Sequence, residues 1–494
     1  MLIGLHFLHW WLFGETVTPL EPSEAMQTVE LGRLNAGFLL FAAVILSTLI
    51  FGRWFCGWAC HLVALQDLSA WLLGRLGLAP RPLRSRLLIL APWVVAFHMF
   101  AWPIVLHWWD PVQKPLPGIA DWEAQMLTAD LWETFPKWIM APLSIVVLGF
   151  LIVWWLGAKG FCTHGCPYGA FFATADRFAP MRIVVSDACE KCGHCTSVCS
   201  SNVRVHEEVA RYGQVVDPGC MKCLDCVSVC PKDALSFGKA RPKPFVASQQ
   251  RIKARADFTW PEEIALAVVA VIATQWTFRG AWFGEAVPFL LSVGLGAITA
   301  ALALALWRLL RRPGLTFQHT ALKVDGRLTS AGRLALVGLA SWLLFAVHTF
   351  AAQRLKNAAI DDSRQPLAAL YLRAEQATPA SIEAAVARLP GALAKVDTAL
   401  AFDLIDDPWL LEYRGLLLHA MDRHVEAEAA LMHALADRAG LHLLLSNVVL
   451  ARYCMDPARQ RYDQAQRLLE FAVAHHPGDT VAASLLQQLQ NRPR

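Results

Sequence analysis

Apolar stretches alternate with short charged loops from the N-terminus to about Ala351, and beyond that point the pattern turns polar and amphipathic. Residues 1–14, MLIGLHFLHWWLFG, are apolar but shorter than the roughly 20 helical residues that a bilayer core demands. They read as the C-terminal end of a first spanning helix whose start lies outside the sequence, and not as a removable signal peptide, because no basic flank or small-residue cleavage site accompanies them. Further apolar segments run from about Ala36 to Phe55, Leu87 to Trp109, Trp138 to Leu156, Glu263 to Phe278, Ala286 to Leu310 and Leu334 to Ala351. The expected architecture is an α-helical polytopic membrane protein of about six to seven spans.

Loop charge gives these spans an orientation, since short cytoplasmic loops collect Lys and Arg. Arg75, Arg81, Arg84 and Arg86 mark one inner loop, and Arg308, Arg311, Arg312, Lys323 and Arg327 mark another. An acid-free linker with Lys239, Arg241, Lys243, Arg251, Lys253 and Arg255 is also placed inside. The acidic loop at 15–35, and that containing Asp110, Asp121, Glu123, Asp130 and Glu133, fall outside. Alternation then puts the chain beyond Ala352 on the outer face.

From about Ile360 the sequence is helical by periodicity. Gly415, Ala427, Leu431 and Ala434 occupy the offsets of small and large packing positions in a tetratricopeptide repeat, and Ala465, Leu469, Ala472 and Pro477 follow the same logic. A repeat-like domain over 360–494 is expected, with an ordinary helical bundle as the alternative. Either offers a surface for docking a protein.

Composition agrees with a membrane protein: 56% of the 494 residues are hydrophobic, 20 are Trp, and the mean hydropathy is +0.39. The formal charge of +4 is small for this length, and no nucleic-acid partner is expected. Of 13 cysteines, only Cys454 falls outside a regular spacing. Cys189, Cys192, Cys195 and Cys199 form C-x2-C-x2-C-x3-C, and Cys220, Cys223, Cys226 and Cys230 repeat it, closing on Pro231. This is the bacterial two-cluster ferredoxin pattern, in which the fourth cysteine of each run serves the other run's 4Fe-4S cluster. The expected sets are Cys189, Cys192, Cys195 with Cys230, and Cys220, Cys223, Cys226 with Cys199. Zinc is the competing reading, but a ribbon needs two pairs and no further register. Ser200 stands where many such runs have proline. Thiolates kept for clusters point to a reducing, cytoplasmic side.

Two more pairs, Cys56 with Cys60 and Cys162 with Cys166, each form C-x3-C at the inner end of an apolar span. On a continuous helix each pair would present both sulfurs on one face. The four thiols could hold a third cluster or another metal, act as redox dithiols, or be buried core cysteines. Gly57, Gly160, Gly165 and Gly169 around them allow tight turns or close backbone approach.

FCGWACHLVALQD, GFCTHGCPYGAF and the double cysteine run, in that order, resemble the polyferredoxin-type membrane proteins: NapH of periplasmic nitrate reduction, the membrane half of NosR, and more distantly CcoG. The resemblance covers roughly residues 30–240. It implies a bacterial inner-membrane protein that passes electrons from the quinone pool, as a quinol-dehydrogenase-like component. His61 follows Cys60 where the family usually has proline, and no flavin-attachment domain precedes the membrane part, so a flavin role is not carried over.

Ionisable residues in a membrane are functional candidates by default. His6, His9, His98, His107 and His348 lie in or beside spans. Quinone contact is one reading, haem ligation is disfavoured because no haem motif is present, and the interfacial belt is the plain alternative. Trp10, Trp11, Trp108 and Trp109 read as belt residues or as aromatic walls of a quinone site.

The expected organisation is 1–160 transmembrane with the first C-x3-C, 161–180 the second C-x3-C-P segment, and 181–240 an α+β two-cluster ferredoxin-like domain. There follow 241–262 basic linker, 263–352 transmembrane, and 360–494 all-α domain. The leading function is electron transfer between the quinone pool or a cytoplasmic donor and a periplasmic or membrane redox protein, docked on the C-terminal domain. The alternative is a maturation factor that reduces a metal or disulfide during assembly of a respiratory enzyme.

Overall fold

The computed structural model describes residues 2–78, 83–109, 116–129, 140–248, 250, 256–280, 289–317, 320–372, 378–437, 444–456, 460–475 and 480–491. Arg81, Asp110, Asp130, Glu133, Arg251, Lys253, Arg255 and Pro477 lie outside these residues. The chain is mostly helical and divides into two compact units, residues 1–271 with 293–304, and residues 272–292 with 305–494.

Among the described residues, three helices are long and apolar enough to cross a membrane: Leu88–Trp109, Phe289–Arg311 and Ser330–Tyr371. Ala36–Phe51 and Ala141–Leu156 are apolar but shorter. The two shorter helices end for a local reason. The segments ending near Phe55 and Leu156 stop at Gly52 and Gly157, both at positive φ, where a side chain would be strained. Those glycines turn the backbone out of the helix before the cysteines arrive.

In the first unit, Asn35 caps Ala36–Phe51 by accepting from the Phe38 amide at 2.8 Å. The two segments read as outer loops pair with one another. Thr16–Val17 runs antiparallel to Leu127–Thr128, and Arg33–Leu34 runs parallel to Glu123–Ala124. Among the segments read as inner, the Arg84 amide donates to Asp257 at 2.8 Å, and Arg86 donates to the buried Glu263 carboxylate at 3.2 Å.

The cysteine-rich module is closed by two antiparallel strands, Met181–Val185 and Leu235–Lys239, with Met181 opposite Lys239 and Val185 opposite Leu235. Its core gathers Ile183, Val203, Val209, Val215 and Leu235 around Cys226, with Cys195, Cys199, Cys220 and Cys230 packed against them. Cysteines of both runs therefore share one small core.

In the second unit, Leu315–Phe317, Thr320–Val324 and Arg327–Leu328 form an antiparallel meander. Helix Ser330–Leu367 follows, capped by Thr329 through the Gly332 amide, and it runs unbroken through 352–360, where the pattern of apolar residues ends. Nothing in the backbone marks that change, because helical hydrogen bonding continues whether side chains are apolar or polar. Pro379–Phe402 packs along it, and Pro408–Ala420 pairs with His424–Asp437. Leu444–Cys454, Tyr462–His475 and Thr480–Gln490 continue the stack. Ala427, Leu431, Ala434, Ala465, Leu469 and Ala472 are all buried. A Cβ on Gly415 would stand 2.4 Å from Leu431 Cγ, so that helix pair meets where a side chain is missing. Cys454 is wholly buried among Val448, Ala451, Ala465 and Leu469, and packs as an apolar residue.

Candidate iron-sulfur and thiol site

The two cysteine runs have the same backbone. Lys191 and Lys222, at matching places in the two runs, have φ of 60° and 53°, and Gly193 and Leu224 have 81° and 67°. Asn202 and Asp233, again at matching places, have 60° and 48°. Short helices His194–Ser197 and Asp225–Ser228 follow the turns. Positive φ in a lysine or leucine is uncommon and costs energy, and here it recurs in register with the sulfurs.

Burial pushes the Cys199 thiol up to about 12, with Cys220 and Cys223 adding to the effect. The same holds for Cys226, raised to about 12 by burial and then by Cys220, Cys199, Cys223 and Cys195. Cys199, Cys220, Cys223 and Cys226 thus stand within electrostatic reach of one another, across both runs. Burial also raises Cys195, with Cys189 and Cys192 as neighbours. Cys230 behaves differently: the amides of Lys232, Ala234 and Leu235 hold its thiol below the ordinary range, and Ala234 N–H donates to its Sγ at 3.3 Å.

Among the described residues, no three His, Cys, Asp or Glu side chains converge as they would on one metal ion. A zinc ion held at about 2.3 Å by each sulfur would need that convergence. A tetranuclear cluster gives each thiolate its own iron at a separate corner, so an all-cysteine donor set on two runs of matching backbone fits it.

The C-x3-C pairs do not lie on continuous helices, which corrects the expectation that each presents both sulfurs on one helical face. Cys56 lies in the five-residue helix Trp54–Trp58 and Cys162 in Gly160–His164. The second cysteine of each pair is extended, Cys60 with ψ 122° and Cys166 with ψ 115°, and caps the next helix, His61–Arg75 or Pro167–Phe178. The Cys60 amide donates to Phe55 O at 3.1 Å, and the Cys166 amide donates to Phe161 O at 2.9 Å. His61 therefore takes the same first helical position as Pro167, where no backbone N–H partner is needed and proline is optional.

All four of these thiols stand within electrostatic reach of one another. Burial raises the Cys162 thiol well above its usual range, and Cys166, Cys60 and Cys56 raise it further. Cys166 is pushed up to about 12, by burial first and then by Cys56. Burial raises the Cys60 thiol as well, and the amides of Val63 and Leu62 at the helix N-terminus offset that rise only in part. Gln66 holds the group in place, donating to Cys162 Sγ at 2.8 Å and accepting from the Phe161 amide at 3.1 Å. Arg53 Nη2 lies 3.7 Å from Cys56 Sγ and 3.5 Å from Cys162 O.

The module is seated directly on this group. A Cβ on Gly57, between Cys56 and Cys60, would stand 2.3 Å from Met221 O and 3.2 Å from Cys223 N. Trp58 Nε1 donates to Lys222 O at 2.9 Å, and Arg53 Nη1 donates to Pro218 O at 2.9 Å. The peptide joining two cysteines of the second run thus lies against the peptide joining the first membrane pair.

Sequence reasoning named the twelve cysteines and missed the polar residues that position them: Arg53, Gln66, Lys159, Asp176, Arg182 and Lys222. Two more escaped it. His164 lies between Cys162 and Cys166 with both ring nitrogens buried and unpartnered, and desolvation lowers it to about 4. The Tyr168 hydroxyl is also buried without a partner. Of the expected histidines, His6 Nδ1 meets Thr16 Oγ1 at 3.3 Å, His9 packs on Phe13, and His348 stacks on Phe402 at 4.8 Å.

Comparison with known proteins agrees with this geometry. A 4Fe-4S binding domain model matches residues 36–78 and 139–185, which carry the two C-x3-C pairs, and a 4Fe-4S dicluster domain model matches 188–235. The methylamine utilization ferredoxin-type protein MauN of Methylobacillus flagellatus is 30% identical over 190 residues, 37% of this chain and 62% of that protein. The ferredoxin-type protein NapH of Escherichia coli is 27% identical over 198 residues, 38% of this chain and 62% of that protein. Protein NirI of Paracoccus denitrificans is 28% identical over 141 residues, 28% of this chain and 19% of its own length. The chain spans less than two thirds of the length of these relatives, and no solved structure matches it. Apolar helices of spanning length accompany these matches, as in a bacterial membrane protein. Over its cysteine-bearing residues the chain is similar to ferredoxin-type 4Fe-4S proteins such as MauN and NapH, which fits a NapH-like polyferredoxin group.

Proposed function

We propose that this protein carries electrons at the inner face of a bacterial cytoplasmic membrane, between the quinone pool or a cytoplasmic donor and a periplasmic or membrane redox protein. Cys189, Cys192, Cys195 and Cys230 hold one 4Fe-4S cluster, and Cys220, Cys223, Cys226 and Cys199 hold the other. Cys56, Cys60, Cys162 and Cys166 form a third redox site, as a further cluster or as dithiols. When bound, such clusters take up and release single electrons. The protein's part is to hold the sulfurs, exclude water and keep the sites adjacent. The observation that carries the reading is the seating of Met221–Cys223 on Gly57, which sets second-run sulfurs beside the membrane thiols.

The proposed orientation is supported by the pairing of 16–17 and 33–34 with 123–128, and of Arg84 and Arg86 with Asp257 and Glu263. Each set joins loops assigned to one side. The helical region 360–494 is assigned to the outer face as the docking surface, of tetratricopeptide type.

Iron and acid-labile sulfide per chain test the proposal. About eight irons leave the membrane pairs as thiols and about twelve make them a third cluster, by four irons per centre. A colourless, zinc-loaded protein would overturn it. The maturation-factor alternative draws support from the stacked helices of the second unit, a form suited to holding proteins. Rapid oxidation of the reduced protein by a quinone analogue favours electron transfer. Loss of cofactor insertion in a partner, with quinol turnover intact, favours the alternative.

A further inference from the structure

The buried charges of the first unit are unbalanced. Arg53, Lys159, Arg182 and Lys222 are each 3% exposed or less, and around them Asp176 is the one fully buried carboxylate among the described residues. Glu263, the other buried acid of this unit, is engaged by Arg86. Lys222 Nζ lies 2.9 Å from Asp176 Oδ1, Arg182 Nη1 lies 3.5 Å from Asp176 Oδ2, and the Arg53 amide donates to Asp176 Oδ1. Lys159 meets Asp67, a half-exposed carboxylate, at 3.5 Å. Arg53 Nε and Arg182 Nε have no partner. A surplus of buried positive charge is costly unless an anion faces it.

Three of these cations stand at the cysteines. Lys222 lies between Cys220 and Cys223, Arg53 reaches Cys56 Sγ and Pro218 O, and Lys159 acts on Cys223. The acids on the same side are Asp225, beside Cys223 and 3.5 Å from Ser200 Oγ, and Asp67. The first run has a different setting: Cys192 is exposed, and its neighbouring ion pair, Lys232 with Glu190, is solvated and neutral overall.

We infer that Lys222, Arg53 and Lys159 form a buried cationic belt that holds the second-run cluster at a higher reduction potential than the first, so that an electron entering the module comes to rest on the membrane side. The inference rests on the ligand sets proposed above. A 4Fe-4S core held by four thiolates is an anion that becomes more negative on reduction, so nearby cations favour the reduced form. Burial alone works the other way, because it disfavours the more highly charged state. The same low dielectric that raises this desolvation cost also enlarges the cations' attraction, and the three buried cations outweigh Asp176, the buried acid beside them, because half-exposed Asp67 and exposed Asp225 are screened by solvent.

The test is a redox titration of the full-length protein in detergent, followed by paramagnetic resonance, with iron counted in each sample. Two waves are expected from the module, apart from any wave that Cys56→Ala with Cys162→Ala removes. Lys222→Gln lowers the upper one by at least tenfold in electron affinity, about 59 mV for a one-electron couple, and leaves the lower wave in place. Lys222→Arg restores the wild-type value, and Asp176→Asn moves the upper wave in the opposite direction, which a loosened fold would not do. Should Lys222→Gln lose its iron, the unsubstituted protein decides. Its upper wave stays fixed between about 0.05 and 0.5 M salt if buried charges set it, and drifts if exposed ones do. Coincident waves, an iron-replete Lys222→Gln with unmoved potentials, or a salt-dependent upper wave would overturn the inference while leaving the clusters themselves established. Absence of iron would instead overturn the proposed function.

Discussion

Gly57 lacks a side chain at a point where the backbone of another segment arrives. The atoms a Cβ would meet are Met221 O and Cys223 N, both backbone, so the obstruction cannot rotate away. Gly57→Val is expected to destabilise the first unit by about 1–3 kcal/mol, the usual cost of overpacking. Protease cleavage should then appear in 186–235 at lower temperature, while Gly4→Ala, where nothing lies within 4 Å, leaves it unchanged. The cysteine runs could be read from sequence because their spacing is local. Arg53 could not, because its meaning comes from Asp176 and Pro218, 123 and 165 positions away.

At the scale of elements, the N-terminus of Pro408–Ala420 is held by Asp407, whose carboxylate accepts from the Trp409 and Leu410 amides and pairs with Lys356 of the long helix. Both side chains are buried. Asp407→Ala removes the cap and strands a buried ammonium, at an expected cost of about 3–5 kcal/mol in thermal or denaturant unfolding. Lys356→Met in the same chain should recover most of that loss, because it removes the unpaired charge. The helices themselves were legible: Ala36–Phe51, Leu88–Trp109 and Phe289–Arg311 fall where runs of apolar residues predict them. Their ends were less so. Gly52 and Gly157 break the spans ahead of the cysteines, and a glycine in an apolar run carries no local sign of whether it will turn.

For the whole molecule, the small core of the module is partly made of Cys195, Cys199, Cys220, Cys226 and Cys230, so its stability is tied to what those sulfurs hold. Oxidative removal of iron with a chelator is expected to open 186–235 to proteolysis, with loss of the strand pair Met181–Val185 and Leu235–Lys239. The helices Pro379–Phe402 and Pro408–Ala420, which bury Leu389, Val396, Leu410 and Leu417, should keep their protection. Loss of order in both regions together would show that the two units unfold as one.

The sequence alone determined the membrane-apolar character, the paired cysteine register and the helical region beyond about 360, because each is written in neighbouring residues: length of apolar runs, cysteine spacing, helical period. Tertiary structure decided that Cys56, Cys60, Cys162 and Cys166 form one group, that Met221–Cys223 of the second run lies against Gly57, and that Arg53, Lys159 and Lys222 are buried beside it. These depend on which distant segments meet. Charge and packing select such meetings only once the chain has folded, so no local pattern could announce them.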